Sequence, residues 1–170
     1  MKPILTTAIL AVSIVTVLTG CETTATTQAA ATPVTGTSYA YHNAKNLPAS
    51  GVALDGYCPV AYFAVNDAVL GDPKFASTHD GVTYHFVSAD AKHAFDSNPA
   101  KYVPAYGGWC AFGMAVEDKF PVDPRNFKIV NNRLMLFLRN PGVDALELWN
   151  DGDEYDLTRK ADAHWAKVQG

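Results

Sequence analysis

His79-Asp80-Gly81-Val82-Thr83-Tyr84-His85-Phe86-Val87-Ser88 turns, runs extended and stops on a hydroxyl. Asp-Gly suits the left-handed backbone of a tight hairpin turn. Val82 to Val87 is rich in the β-branched and aromatic residues of a strand, with Tyr84 and Phe86 on one face and His85 on the other. Lys74 to Thr78, before the turn, supplies the other arm of a hairpin. Ser88 is an N-cap residue, and the spacing predicts a helix over Ala89 to Ser97 with Ala91, Ala94 and Phe95 on one face and Asn98-Pro99 as its end.

Working outward, Gly56-Tyr57-Cys58-Pro59 reads as a turn entering a short apolar strand, Val60 to Phe63, because proline is tolerated where a strand starts. Asn131-Asn132 reads as a tight turn between Phe127 to Val130 and Arg133 to Leu138, a second hairpin. Val143 to Trp149 and Tyr155 to Val168 are expected to be helical, with Trp149, Leu157 and Trp165 as core anchors. Asp151-Gly152-Asp153-Glu154 lacks the spaced ligands of a calcium loop and is expected to cap the last helix. Short antiparallel hairpins with packed helices make an α+β domain over 39–170, a usual size for a single core. No repeat at a solenoid period is visible, nor a second linker.

The first residues are of another kind. Lys2 precedes a nearly unbroken apolar run, Ile4 to Leu18, shorter than the roughly 20 residues that cross a bilayer and followed by no basic cluster. It reads as a secretory signal over 1–20. Leu18-Thr19-Gly20-Cys21 looks like a bacterial lipobox, which makes Cys21 the lipidated first residue of a membrane-anchored lipoprotein; an ordinary secreted protein is the alternative. Over 21–38 the chain is Thr, Ala, Gln, Gly and Pro with almost nothing to bury, a flexible tether. Glu22 is not the Asp that holds many lipoproteins at an inner membrane, which favours the outer membrane, facing the periplasm, in a host with two. The chain has 13 basic against 17 acidic residues, and loss of Lys2 with the signal makes the mature part more acidic still. With no run of Lys or Arg to neutralise phosphates, nucleic acid is excluded as a partner.

Several blocks in order resemble the YHS-domain family: Gly56 to Phe63, Gly81 to Ser88, Phe95, Asn98-Pro99-Ala100-Lys101-Tyr102 and Tyr106-Gly107-Gly108-Trp109-Cys110-Ala111. Asp123-Pro124 and Ala161-Asp162-Ala163-His164-Trp165 are similar to the longer, exported branch. The resemblance covers about Asp55 to Val168 and implies a small YHS-like fold and metal handling. The three cysteine positions of the short metal-binding modules fall here on Ala61, Val87 and Ala91. None can bind a metal, which removes a thiolate zinc site built on those positions.

The soft groups that remain are Cys58, Cys110 and Met114, with His85 beside the strand Phe86. Thiolate and thioether favour Cu(I), and imidazole suits copper or zinc. One helical turn would place Cys110 and Met114 on the same side. These four are the candidate metal ligands and copper the expected ion. The competing reading is a Cys58 to Cys110 disulfide in a structural or interaction module of the envelope, closing a loop worth about 4 kcal/mol in chain entropy. His93 is expected on a solvated helix face and His79 on a surface turn. An enzyme built on a Cys110 nucleophile needs a lowered thiol pKa and a placed base. No serine elbow, His-Glu-x-x-His or phosphate-cradling glycine loop is present.

Overall fold

The computed structural model describes residues 45–169; the stretches read as signal, lipobox at Cys21 and tether, and His42, lie outside them. Strands β1, Asp72–His79, and β2, Val82–Phe86, form the expected antiparallel hairpin, with Ser77 opposite Tyr84. Its turn residues Asp80 and Gly81 both take positive φ, 49° and 75°, as a two-residue turn of this hand requires. Ser88 Oγ accepts from Ala91 N at 3.1 Å and starts α2, Ala89–Ser97, which buries Ala91 and Phe95.

One expectation fails. Val60 to Phe63 is not a strand but the middle of α1, Pro59–Ala64. A four-residue apolar run carries no period that separates strand from helix. Pro59 decides it, because a fixed φ at the first helical position initiates a helix as readily as it enters a strand. The helix α3, Pro99–Tyr102, starts the same way.

Helix α4, Ala111–Ala115, leads to the second hairpin, β3, Asp123–Val130, with β4, Arg133–Phe137. Asn131 and Asn132 turn it, at φ 50° and 58°. A small hairpin, β5 (Arg139–Asn140) with β6 (Val143–Asp144), delays the next helix, so α5 is Ala145–Asp151 rather than starting at Val143. Asp144 caps α5, and Asp153 caps α6, Glu154–Val168, by accepting from Asp156 N at 3.0 Å. Trp149 is fully buried, while Leu157 and Trp165 are half-buried at the edge of the same cluster.

The two halves repeat one another. The turn Ala53–Gly56, α1, β1, β2 and α2 correspond in order to the turn Ala105–Gly108, α4, β3, β4 and α5. Cys58 N donates to Val69 O and Cys110 N to Phe120 O. Val52 bridges Thr83 in parallel, and Pro104 bridges Leu134. Both hairpins carry an irregularity at the same place, after Asp72 and after Asp123. Each of these carboxylates accepts a backbone N–H two residues on, from Lys74 and Arg125, both at 3.0 Å. Even the aromatic stacking recurs, with ring centroids 5.0 Å apart for Phe86 and Phe95 and 5.5 Å for Phe137 and Trp149.

Each repeat has a core, and β4 belongs to both. Leu134 and Leu136 join the first cluster, with Tyr62, Phe86 and Phe95; Met135 and Phe137 join the second, with Met114 and Trp149. None of these four strand residues is more than 1 % exposed. Tyr62 of α1 crosses the seam, donating to Pro124 O at 3.0 Å and meeting Phe127 edge-on. Asn126, wholly buried beside this seam, donates to Leu138 O and Asp144 Oδ1 and accepts from Arg139, so its burial leaves no amide group unpaired.

Candidate functional site

The four expected metal ligands stand in three different settings. Cys58 precedes α1 and is fully buried in the first cluster. Cys110 holds the same place in the second repeat and is fully buried in the second cluster, where its Sγ accepts from Leu138 N at 3.3 Å and Gly113 N at 3.4 Å. Burial pushes its thiol above the ordinary range, against those two bonds. Met114 follows Cys110 by one turn and is equally buried. His85 lies half-buried on the far face of β2, where a Cβ on Gly56 would sit 3.6 Å from its Nδ1. The fold thus brings Cys110 and Met114 into one cluster and places Cys58 and His85 elsewhere.

The disulfide is not formed: Cys58 and Cys110 are both free. They are equivalent residues of two repeats, each turned into its own core, and that equivalence is why they do not meet. Copper fares no better on chemistry. A soft metal is held by thiolate, whereas Cys110 is a buried thiol whose lone pairs already serve two backbone amides. Among the described residues no group of three or more His, Cys, Asp or Glu is placed to hold a metal ion. The four residues as folded do not fit the group.

A cavity of about 610 Å³ opens instead along the seam between the repeats, within the range of small-molecule sites. The equivalent turns Ala53–Gly56 and Ala105–Gly108 both contribute to its wall. In the first, Leu54 and Asp55 stand at φ 58° and 49°; in the second, Tyr106 and Gly107 stand at 54° and 59°. Left-handed backbone costs a residue with a side chain about 1–2 kcal/mol, and Leu54 and Tyr106 meet it while buried. Strain of this kind persists only where the surroundings over-determine it, and it concentrates at functional sites. Here the turns are closed by Tyr57 N donating to Leu54 O and Trp109 N to Tyr106 O.

Polar groups meet this wall from both repeats. The Tyr106 hydroxyl donates to Asp162 Oδ1 at 2.9 Å, and Arg133 grips the same carboxylate through both terminal nitrogens, at 2.8 and 3.3 Å. The Arg133 guanidinium lies over the Tyr106 ring, 5.6 Å from its centroid, a cation–π contact. Burial first, and then the bond to Asp162, holds the Tyr106 phenol neutral, well above the ordinary range. Tyr84 also lines the cavity. It is 5 % exposed, and its hydroxyl has no hydrogen-bond partner among the described residues. Burial, helped by the Asp80 charge, pushes its pKa up to about 12. His79, expected merely at the surface, is half-buried at the cavity and meets Phe95 edge-on; His93 is exposed, as expected.

Sequence reasoning missed these residues because nothing in Leu54 or Tyr106 announces a positive φ. The signal that could have found them is the recurrence of Ala53-x-x-Gly56-Tyr57-Cys58 as Ala105-x-x-Gly108-Trp109-Cys110. No protein-family model, curated protein or solved structure matches the chain.

Two outcomes are expected. Unfolded tyrosines lose their protons near pH 10 while Tyr84 keeps its own to about 12. The unfolded chain therefore binds fewer protons across that window, and stability present below it falls as pH rises through it. Urea midpoints measured from pH 9 to 12 should decline, and Tyr84→Phe should decline less steeply; an unchanged slope contradicts the assignment. Titration of the reduced domain with Cu(I) against a competing chelator should find no tight site, and Cys110→Ser should titrate as the parent does.

Proposed function

We propose that this is a non-catalytic binding module of the bacterial envelope, an exported domain of the YHS kind carried on lipid at Cys21, which receives a small ligand in the cavity between its repeats. The observation that carries the reading is the convergence on one cavity of two equivalent strained turns and the Tyr84 hydroxyl, which has no hydrogen-bond partner among the described residues. Strained backbone is retained where it shapes a contact surface, and a phenol hydroxyl that opens to a cavity without a protein partner is a donor and acceptor available to a ligand.

Binding rather than turnover follows from the groups at hand. The Cys110 thiol is buried and pushed towards neutrality, the opposite of an activated nucleophile. The polar residues at the cavity hold fixed bonds to one another, Tyr106 and Arg133 sharing Asp162. Groups so held are suited to shape and orient a ligand.

A fragment screen followed by amide resonances of the isotope-labelled protein tests this. Bound fragments should shift Leu54, Tyr84 and Tyr106 together, and Tyr84→Phe should weaken fragments that bond its hydroxyl by about two- to tenfold, the value of one hydrogen bond. Fragments that cluster elsewhere, or none that bind, would remove the reading.

A further inference from the structure

The charged groups that line the cavity divide into those already paired and those not. Arg133 is held by Asp162, His79 pairs with Asp80 at 3.5 Å, and Lys45 Nζ donates to the Asp80 carbonyl at 2.7 Å. Asp55 and Lys101 also line the cavity, and neither has an ion-pair partner among the described residues. Both are exposed side chains. Beside them stands the Tyr84 hydroxyl, a donor and acceptor with no hydrogen-bond partner among the described residues. Asp55 is thus the lining anion without an ion pair among the described residues, while Lys45, held by a neutral carbonyl, and Lys101, over the Tyr102 ring at 5.0 Å, are cations without one, between apolar walls that include Leu54, Val103 and Pro104.

Asp55 is also where the two repeats differ. Its equivalent in the second turn is Gly107, and both take left-handed backbone, at φ 49° and 59°. Glycine is the residue with no steric penalty there, and Asp is among the few others that tolerate it. The turn needs no carboxylate to form, as Gly107 demonstrates. The first repeat nonetheless puts one at the cavity, with no partner of its own.

We propose, resting on the cavity as a ligand site, that its ligand is a small zwitterion of the peptide kind, with an ammonium group met by Asp55, a carboxylate met by Lys101, and an apolar side chain lying between the repeats. A simple anion would leave Asp55 facing like charge, and a simple cation would do the same to Lys101. A single charge of either sign thus gains at one end and loses at the other, whereas a zwitterion gains at both. The volume of about 610 Å³ exceeds what a single amino acid fills and suits a dipeptide or a slightly longer peptide.

The dipeptide alanyl-phenylalanine is the probe, in four forms: free, N-acetylated, C-amidated, and blocked at both ends. Calorimetry and amide shifts of the full chain should show the free form binding at the seam, and each single block should weaken it about fivefold, the size of a solvent-exposed ion pair. Asp55→Asn keeps a residue that tolerates the left-handed turn and should abolish only the discrimination against the N-acetylated form. Lys101→Gln, at an exposed position, should abolish only the discrimination against the amide. Four forms that bind the seam equally would overturn the zwitterion and leave the cavity standing. So would a fragment that binds the seam where no dipeptide does. If neither fragments nor dipeptides bind there, the zwitterion and the cavity reading both fall.

Discussion

Strand β4 is covered on both of its faces, and the rest of the domain is arranged around that fact. Leu134 and Leu136 point one way into the first core, while Met135 and Phe137 point the other way into the second. A strand of an isolated two-stranded hairpin has one face against a core and one towards water, and such a hairpin is marginal alone. Here the second face is covered by the first repeat, so neither half completes its core without the other. The equivalent strand β2 shows what an uncovered face looks like. Val82, Tyr84 and Phe86 are buried, but Thr83 and His85, which stand where β4 has Leu134 and Leu136, are only half-buried.

That asymmetry explains the cavity. Repeats related by a simple duplication bring the same turn to their junction twice, and Leu54-Asp55 and Tyr106-Gly107 arrive there in the same left-handed conformation. The junction is filled at its centre by β4 and by Tyr62 against Pro124 and Phe127. Towards the turns, nothing among the described residues fills it. The two thiols follow the same logic: Cys58 and Cys110 look like a pair in the sequence because they are copies, and for that reason each belongs to a separate core.

Much of the fold was legible in single residues. Asp80-Gly81 and Asn131-Asn132 are turn chemistry, Ser88 and Asp153 are caps, and each did what its side chain dictates. Val60 to Phe63 was not legible, because four apolar residues carry no period and Pro59 begins either kind of element. The repeat escaped notice because its identities are few. Ala53, Gly56, Cys58 and Asp72-Pro73 recur as Ala105, Gly108, Cys110 and Asp123-Pro124, but the strands between them differ, Thr83 and His85 against Leu134 and Leu136, since the two copies meet different surroundings. The candidate ligands were chosen by chemistry alone, and the structure spends Cys58, Cys110 and Met114 on packing. The cavity residues depend on backbone conformation at Leu54 and Tyr106, which no local sequence preference dictates.

Native-state hydrogen exchange tests most directly whether the two repeats are one unit sharing β4. The amides of Phe95 in the first repeat, Leu134 and Leu136 in the shared strand, and Trp149 in the second should exchange through a single global opening, with one common free energy and one common dependence on urea. If Phe95 and the strands of the first repeat open at distinctly lower free energy while Leu134, Leu136 and Trp149 stay protected, the repeats are independent and β4 is not what holds them together.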